Sequence, residues 1–197
     1  MLQFLSREGI TLVYGEAATG KTTFAMQASL EMVRKNKPVI FMDMEKGFSL
    51  ERFKQLAGED YKRYLDKIFL LHASTFQEQH KLIQKLQSTK QLGLVVVDTM
   101  GMHYRIAVRE DYSLANNLLD KQLKILRQLP RLGILVLVTT QVYTSMENEI
   151  KNIGGNMVKN WCSSVVKLEK EPRRLIVEKP KNEEHFFTII NKGLLLS

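Results

Sequence analysis

The sequence predicts an α/β protein: a mostly parallel, twisted sheet with helices on both faces, extended at its C-terminal side by antiparallel strands. Three observations predict it. Up to Thr140, apolar runs of strand length alternate with stretches of helical period, and such alternation implies right-handed crossovers between parallel strands. Those runs are apolar throughout rather than at every second residue, as strands covered on both faces are. Past Gln141 the strand-like runs crowd together, on connections that suit antiparallel pairing better than crossover helices.

Each element follows from its residues. Ile10 to Tyr14 is a β-branched, apolar run that forms the first strand, and from Thr22 the chain turns helical with Ala25, Ala28 and Met32 on one face. Between them, Gly15-Glu16-Ala17-Ala18-Thr19-Gly20-Lys21-Thr22 fits the phosphate loop G-x-x-x-x-G-K-[ST] at every required position. Gly15 and Gly20 let the backbone curl until successive N–H groups point inward, and the helix N-terminus adds partial positive charge. Lys21 is placed to reach the β- and γ-phosphates, the Thr22 hydroxyl to hold Mg²⁺, and Thr23 to complete the cradle. ATP and Mg²⁺ are the expected ligands.

Val39 to Asp43 is the second strand, and Ser49 caps a short helix that ends near Gly58. Ile68 to Leu71 is the third strand. Thr75-Phe76-Gln77-Glu78 makes a capping box ahead of a helix with Leu82, Ile83 and Leu86 on one side. Leu94 to Asp98 is the fourth strand. From Ser113 a long helix carries Leu119, Leu123 and Leu126 and stops before Pro130, and Ile134 to Thr140 is the fifth strand. Tyr143 to Ile153 is polar, without a clear period, and leads into Gly154-Gly155-Asn156. Runs at Ser164–Leu168, Arg174–Val177 and Phe186–Ile190 follow, joined by Glu171-Pro172 and Pro180-Lys181-Asn182. One domain over residues 1–197 is expected, without repeats, low-complexity tracts or linkers.

Composition narrows the function. The 44% hydrophobic and 25% charged content is that of a folded soluble protein. No apolar run approaches the ~18 residues of a membrane span, and Met1 to Gly9 lacks a signal-peptide pattern, so a cytoplasmic location without membrane partners is expected. The single cysteine, Cys162, has no disulfide partner in the chain and no Cys or His neighbour at zinc-ligand spacing, which leaves it a packing role. Twenty-nine Lys and Arg against twenty-one Asp and Glu give a formal charge of +8. That excess favours a polyanionic partner through counterion release, although a generally lysine-rich surface would give the same figure.

In an open parallel sheet, ligands bind beyond the carboxyl ends of the strands. Asp98, which closes the fourth strand, fits the Walker B carboxylate that steadies Mg²⁺. Asp43 and Glu45 would share a face if the second strand continued, and either is placed to orient the water that attacks a γ-phosphate. Gln141 ends the fifth strand, where its amide serves either to sense the γ-phosphate or simply to hold structure. His72 and Cys162 belong to no set of nucleophile, base and orienter, and both read as packing residues. Tyr104, Tyr112 and Tyr143 offer rings on which bases could stack, or are half-buried packing groups.

Taken in order, Gly15 to Thr22, Asp43-Met44-Glu45-Lys46-Gly47, Val95-Val96-Val97-Asp98-Thr99, Thr139-Thr140-Gln141-Val142 and Ile153-Gly154-Gly155-Asn156 resemble the RecA-type recombinase ATPases. Within that family the chain is most similar to the archaeal RadB branch, which is reduced to the ATPase core. Trp161, Val166-Lys167-Leu168-Glu169, Glu178-Lys179 and Phe187 to Leu194 support the same likeness. The resemblance implies a RecA-like fold, phosphate and Mg²⁺ binding by Lys21 and Thr22, a Walker B role for Asp98 and a catalytic one for Glu45. It matches Gln141 to the start of a second DNA-binding loop spanning Tyr143, Lys151, Gly154, Gly155 and Asn156, and puts Tyr104, Arg105 and Tyr112 in or near the first.

The chain also departs from the family. Nine residues precede Ile10, without a helix-hairpin-helix domain, a glycine-rich lead-in or an aromatic-x-x-Ala docking motif, and Leu114-Ala115-Asn116 stand where full recombinases place an arginine. The expectation is an accessory factor of homologous recombination and DNA repair. It would bind ATP, bind single-stranded DNA, a recombinase or a repair nuclease, and hydrolyse ATP weakly; oligomers are compatible with it, with Lys179 or Lys181 acting across the interface. The alternatives are a non-hydrolysing, ATP-dependent interaction module and a small-molecule phosphotransferase, the latter disfavoured because no arginine-rich lid segment is evident.

Overall fold

The computed structural model describes residues 1–89, 91–144, 150–152 and 155–197, with the backbone alone at 143–144, 150–152 and 155–156. After a short N-terminal turn (Leu2–Phe4) come β1 (Ile10–Gly15), α1 (Lys21–Arg34), β2 (Val39–Asp43), α2 (Leu50–Ala57), α3 (Tyr61–Leu65), β3 (Ile68–Leu71) and α4 (Phe76–Lys85). β4 (Leu94–Asp98), α5 (Gly101–Glu110), α6 (Tyr112–Leu126), β5 (Leu135–Thr144), β6 (Ile150–Asn152) and α7 (Gly155–Trp161) follow. The chain closes with β7 (Cys162–Leu168), β8 (Arg174–Lys179), β9 (Glu183–Ile190) and β10 (Gly193–Leu196).

The strands form one sheet in the order β10-β9-β8-β7-β1-β5-β4-β2-β3, with β6 added to β5. From β7 through β3 all neighbours are parallel; β8, β9 and β10 extend the sheet antiparallel. This is the predicted architecture. Each central strand feeds two cores, because side chains alternate across the pleat. Val39, Phe41, Leu94 and Val96 pack under α1, α2 and α3. Ile40, Met42, Val95 and Val97 pack under α4, α6 and α7. β3 is the edge strand, which is why Phe69 and Leu70 are exposed.

The caps follow their chemistry. Ser49 Oγ accepts from Arg52 N at 3.2 Å, and Thr75 Oγ1 accepts from Glu78 N at 3.1 Å. The reciprocal half of the Thr75 capping box is displaced by one residue: Glu78 accepts from Ser74 N at 2.7 Å.

Several elements differ from the sequence reading. The first DNA-loop segment is largely helix α5, and Asp111 ends it while capping α6 through Leu114 N at 2.9 Å. β5 runs on to Thr144 and pairs with β6 as a hairpin, Tyr143 opposite Lys151, since Val142, Tyr143 and Thr144 are all good strand formers. α7 begins at Gly155, where Gly and Asn carry little helix propensity and conceal it. β10 is a four-residue apolar run beyond the last predicted strand. Among the described residues no helix is long and apolar enough to cross a membrane.

Parallel register gathers the functional ends. Gly15 stands opposite Gln141, and Asp43 opposite Asp98, at one edge of the sheet.

Candidate functional site

The phosphate loop is held by close backbone approach. A Cβ on Gly15 would lie 2.3 Å from the Leu168 carbonyl oxygen of the neighbouring strand, so only glycine fits there. Ala18 and Gly20 are left-handed, at φ 63° and 103°, and these reversals curl the loop onto the first turn of α1. Thr19 Oγ1 donates to Glu16 O at 3.0 Å and ties the loop to itself. Lys21 Nζ donates to the carbonyls of Gly15 and Glu16 at 2.9 and 2.7 Å. Burial pushes its pKa down, and the charges of Asp98, Glu45 and Glu16 oppose that shift.

Three carboxylates stand around this loop in different circumstances. Asp98 is buried and accepts hydrogen bonds from the Thr139 and Thr22 hydroxyls. Desolvation raises its pKa, the two hydroxyls lower it, and the nearby Asp43 and Glu45 raise it further. A buried acid with acidic neighbours is stabilised by a cation, so the Asp98 carboxylate and the Thr22 hydroxyl fit an Mg²⁺ that also binds nucleotide phosphates. No cluster of three or more His, Cys, Asp or Glu groups able to hold a metal occurs among the described residues.

Asp43 and Glu45 are set apart by the turn that follows β2. The strand ends at Asp43, and Lys46 is left-handed at φ 56°, so the two acids do not share a continuing strand face. Asp43, 2% exposed, accepts from Gly47 N through Oδ1 and from Phe48 N through Oδ2, both at 2.9 Å. His72 hydrogen-bonds the Asp43 carbonyl, which satisfies the histidine as a structural group. Glu45 instead reaches the cleft: Thr99 Oγ1 donates to its Oε1 at 2.8 Å, and Gln141 Nε2 approaches Oε1 and Oε2 at 3.2 and 3.0 Å.

Ala17, Ala18, Gly20, Lys21, Thr22, Thr23, Glu45, Thr99, Gln141 and Ile189 line one open cleft of about 310 Å³. Thr99 and Ile189 were not singled out from the sequence. Thr99 follows the Asp98 motif directly, so adjacency was an available signal. Ile189 arrives through β9, whose hairpin with β10 folds onto α1. Leu194 N donates to Gln27 Oε1 at 2.9 Å, and Arg52 Nη2 donates to Ile190 O at 2.8 Å.

The residues expected to touch DNA are distributed unequally. Tyr104 is 8% exposed, its ring edge-on to Phe76 and its hydroxyl donating to Asn116 Oδ1 at 2.9 Å. The expected stacking ring is thus a core group of helix α5. Arg105 is exposed beside it, and Tyr112 is 70% exposed at the start of α6. Tyr143 and Lys151 are register partners in the β5–β6 hairpin, and Gly155 and Asn156 open α7; Gly154 lies outside the described residues, as do the side chains of the other four.

Beneath the hairpin, the Tyr14 hydroxyl donates to Glu178 and accepts from Lys159 Nζ at 2.9 Å, while that ammonium reaches Glu178 Oε2 at 2.9 Å. Burial and then the Glu178 carboxylate push the Tyr14 pKa up. This triad joins α7 to the strand that carries the phosphate loop. Cys162 is the packing residue it was expected to be: its Sγ–H donates to Val158 O at 3.0 Å, and burial pushes the thiol pKa up to about 12. At pH 8 the native protein is expected to resist alkylation that the urea-unfolded chain undergoes readily, as mass spectrometry of iodoacetamide-treated samples would record.

A phosphate loop on a mostly parallel sheet, a buried acid at the end of β4 and a glutamate beyond β2 bridged to Gln141 on β5 are the arrangement of a RecA-like, recombinase-type fold. The Rad51 family model matches residues 4–195, and the chain belongs to that family. It is 32% identical to the DNA repair and recombination protein RadB of Methanococcus maripaludis strain C7, over 96% of this chain and 93% of that one. The RadB of Methanococcoides burtonii is 35% identical, over 82% and 74%. A crystal structure of the RadB recombinase superposes with a TM-score of 0.79 at 29% identity, covering 96% of this chain and 91% of that one. The likeness read from the ordered motifs is thereby shown, down to its RadB branch.

Proposed function

We propose that this protein is an ATP-binding accessory factor of homologous recombination and DNA repair, with weak Mg²⁺-dependent ATP hydrolysis, that engages single-stranded DNA, a recombinase or both. The observation that carries this reading is that Lys21, Thr22 and Glu45 line one cleft at the mouth of the phosphate loop, with the buried Asp98 hydrogen-bonded to Thr22 behind it. The family relationship supplies the DNA context, and the charge of +8 is compatible with a polyanionic partner.

The chemistry follows from the groups in place. Loop N–H groups and the start of α1 take the triphosphate, and Lys21 Nζ exchanges its two carbonyl acceptors for β- and γ-phosphate oxygens. Thr22 and Asp98 would hold Mg²⁺, which supplies neutralisation of the charge on the phosphates. Glu45 orients the attacking water and accepts its proton as the new P–O bond forms and the β–γ bridging oxygen leaves. Gln141 is hydrogen-bonded to Glu45, and β5 continues from Gln141 into the hairpin, so a change at the γ-phosphate has a hydrogen-bonded route to the backbone of the proposed DNA-binding loop.

The experiment is ATP binding in Mg²⁺ to the parent and to Lys21→Ala. Removing the charged hydrogen bonds is expected to weaken affinity roughly 10–100-fold, and equal affinity would overturn the assignment. One observation favours a second reading, a non-hydrolysing module in which bound ATP fixes a surface. Both Glu45 oxygens are already engaged by Thr99 and Gln141, which restrains the carboxylate as a base. ATP binding without phosphate release, with or without single-stranded DNA, would select that module.

A further inference from the structure

At the opposite edge of the sheet, where the parallel strands begin, a second cleft of about 360 Å³ opens between the N-terminal turn, the end of α1 and the turn that precedes β5. Its apolar side chains are Leu2, Leu5, Met32, Pro130 and Leu135, with Leu5 and Met32 buried and the other three half-buried. Its remaining side chains are Arg7, Lys35 and Lys37, all exposed.

Charge around this cleft is of one sign. Lys159, Lys167 and Arg174 each lie against a glutamate. Among the described residues Arg7, Lys35 and Lys37 have no ion pair, and no acidic residue lines the cleft. Glu31, an acid on α1 that bonds the N-terminal turn, is occupied by the N-terminal ammonium and by Leu2 N, the latter at 2.9 Å. The result is an aliphatic hollow with an uncompensated cationic rim.

We propose that this cleft docks an acidic segment of a partner protein, which seats one aliphatic side chain in the hollow and sets flanking carboxylates against Arg7, Lys35 and Lys37. The lining favours a peptide over a nucleic acid. Bases are held by stacking on aromatic faces, and this lining is aliphatic; a sugar-phosphate chain would use the cations and leave the hollow wet. A leucine-sized anchor gains by leaving water, and the cations add selectivity for acidic flanks. The cleft lies across the sheet from the phosphate loop, so a docked partner leaves the nucleotide site open and its binding is independent of the ATPase reading.

The test uses a fluorescein-labelled peptide in which glutamates flank a central leucine pair, followed by fluorescence anisotropy against the full chain. The comparison probes are the same peptide with serines for the leucines, a lysine-flanked version, and an oligothymidylate. The acidic leucine peptide is expected to bind, with affinity lowered about tenfold by the triple change Arg7→Glu, Lys35→Glu and Lys37→Glu and lowered also by the serine replacement. The three side chains are exposed, so the triple variant should keep its melting temperature. Its capture of the lysine-flanked peptide would demonstrate rim reversal in a folded protein. Lys21→Ala should bind the acidic peptide as the parent does. Absence of peptide binding, equal binding by the triple variant, or loss of oligothymidylate binding alone in that variant would overturn the proposal.

Discussion

Glu45→Gln is expected to lower ATP-dependent phosphate release by roughly 10²–10⁴-fold, the range over which a positioned general base contributes, while ATP affinity changes little. The substitution is nearly isosteric. Gln keeps an oxygen that can accept from Thr99 Oγ1 and from Gln141 Nε2, so the geometry at 2.8 and 3.2 Å has no steric reason to change. What disappears is the negative charge and the ability to take a proton from water. Release measured with a phosphate sensor, alongside nucleotide binding at equilibrium, separates the two effects. A variant that released phosphate as fast as the parent would assign the base elsewhere than Glu45; Asp43 is buried and does not line the cleft.

Asp43→Ala is expected to have the largest effect on stability of any single change near the cleft, about 3 kcal/mol. Hydrogen bonds to a charged group are worth about 1.5–3 kcal/mol each, and Asp43 makes two, to Gly47 N and Phe48 N. Both would be left as amide groups without their acceptor. Removing the charge also relieves repulsion on Asp98, which offsets part of the loss. The turn it anchors carries Glu45 on one side and Phe48 on the other. The Phe48 ring packs edge-on to Phe41 at 5.1 Å and stacks on Phe53 at 5.7 Å. Urea titration should therefore show a lower midpoint at unchanged m, and phosphate release should fall with it. Asp43→Asn, which keeps one acceptor oxygen, should lie between alanine and the parent; if all three unfolded at the same urea concentration, the anchoring role would be wrong.

These two acids also mark how far the residues could be read in advance. The phosphate loop was legible because its glycines answer to backbone geometry that other residues cannot adopt, as the 2.3 Å approach at Gly15 makes concrete. The central strands were legible because burial on both faces removes polar residues from them, as in Leu94 to Val97. From spacing alone Asp43 and Glu45 stayed open, since a two-residue spacing gives one face in a strand and nothing definite in a turn; the family resemblance was what pointed to Glu45. In the structure the left-handed Lys46 breaks the shared face, with Asp43 on the turn amides and Glu45 at the cleft. Helix α5 was hidden because its segment was assigned by likeness to a loop, and Met102, Tyr104, Ile106 and Val108, its larger apolar residues, fall at every second position rather than at helical spacing. Ile189 carries no local signature at all. It reaches the cleft because β9 and β10 cross back over α1, a long-range contact that propensity does not encode.

The crossing has a practical outcome. Gln27 is bonded to the Leu194 backbone, Arg52 to the Ile190 carbonyl, and a Cβ on Gly20 would lie 2.9 Å from Ile189 Cδ1. The roof of the cleft is therefore synthesised only after the phosphate loop that it covers. A polypeptide that stops ahead of β9 would carry the phosphate loop, Glu45, Asp98 and Gln141 and would still present that loop bare on one side.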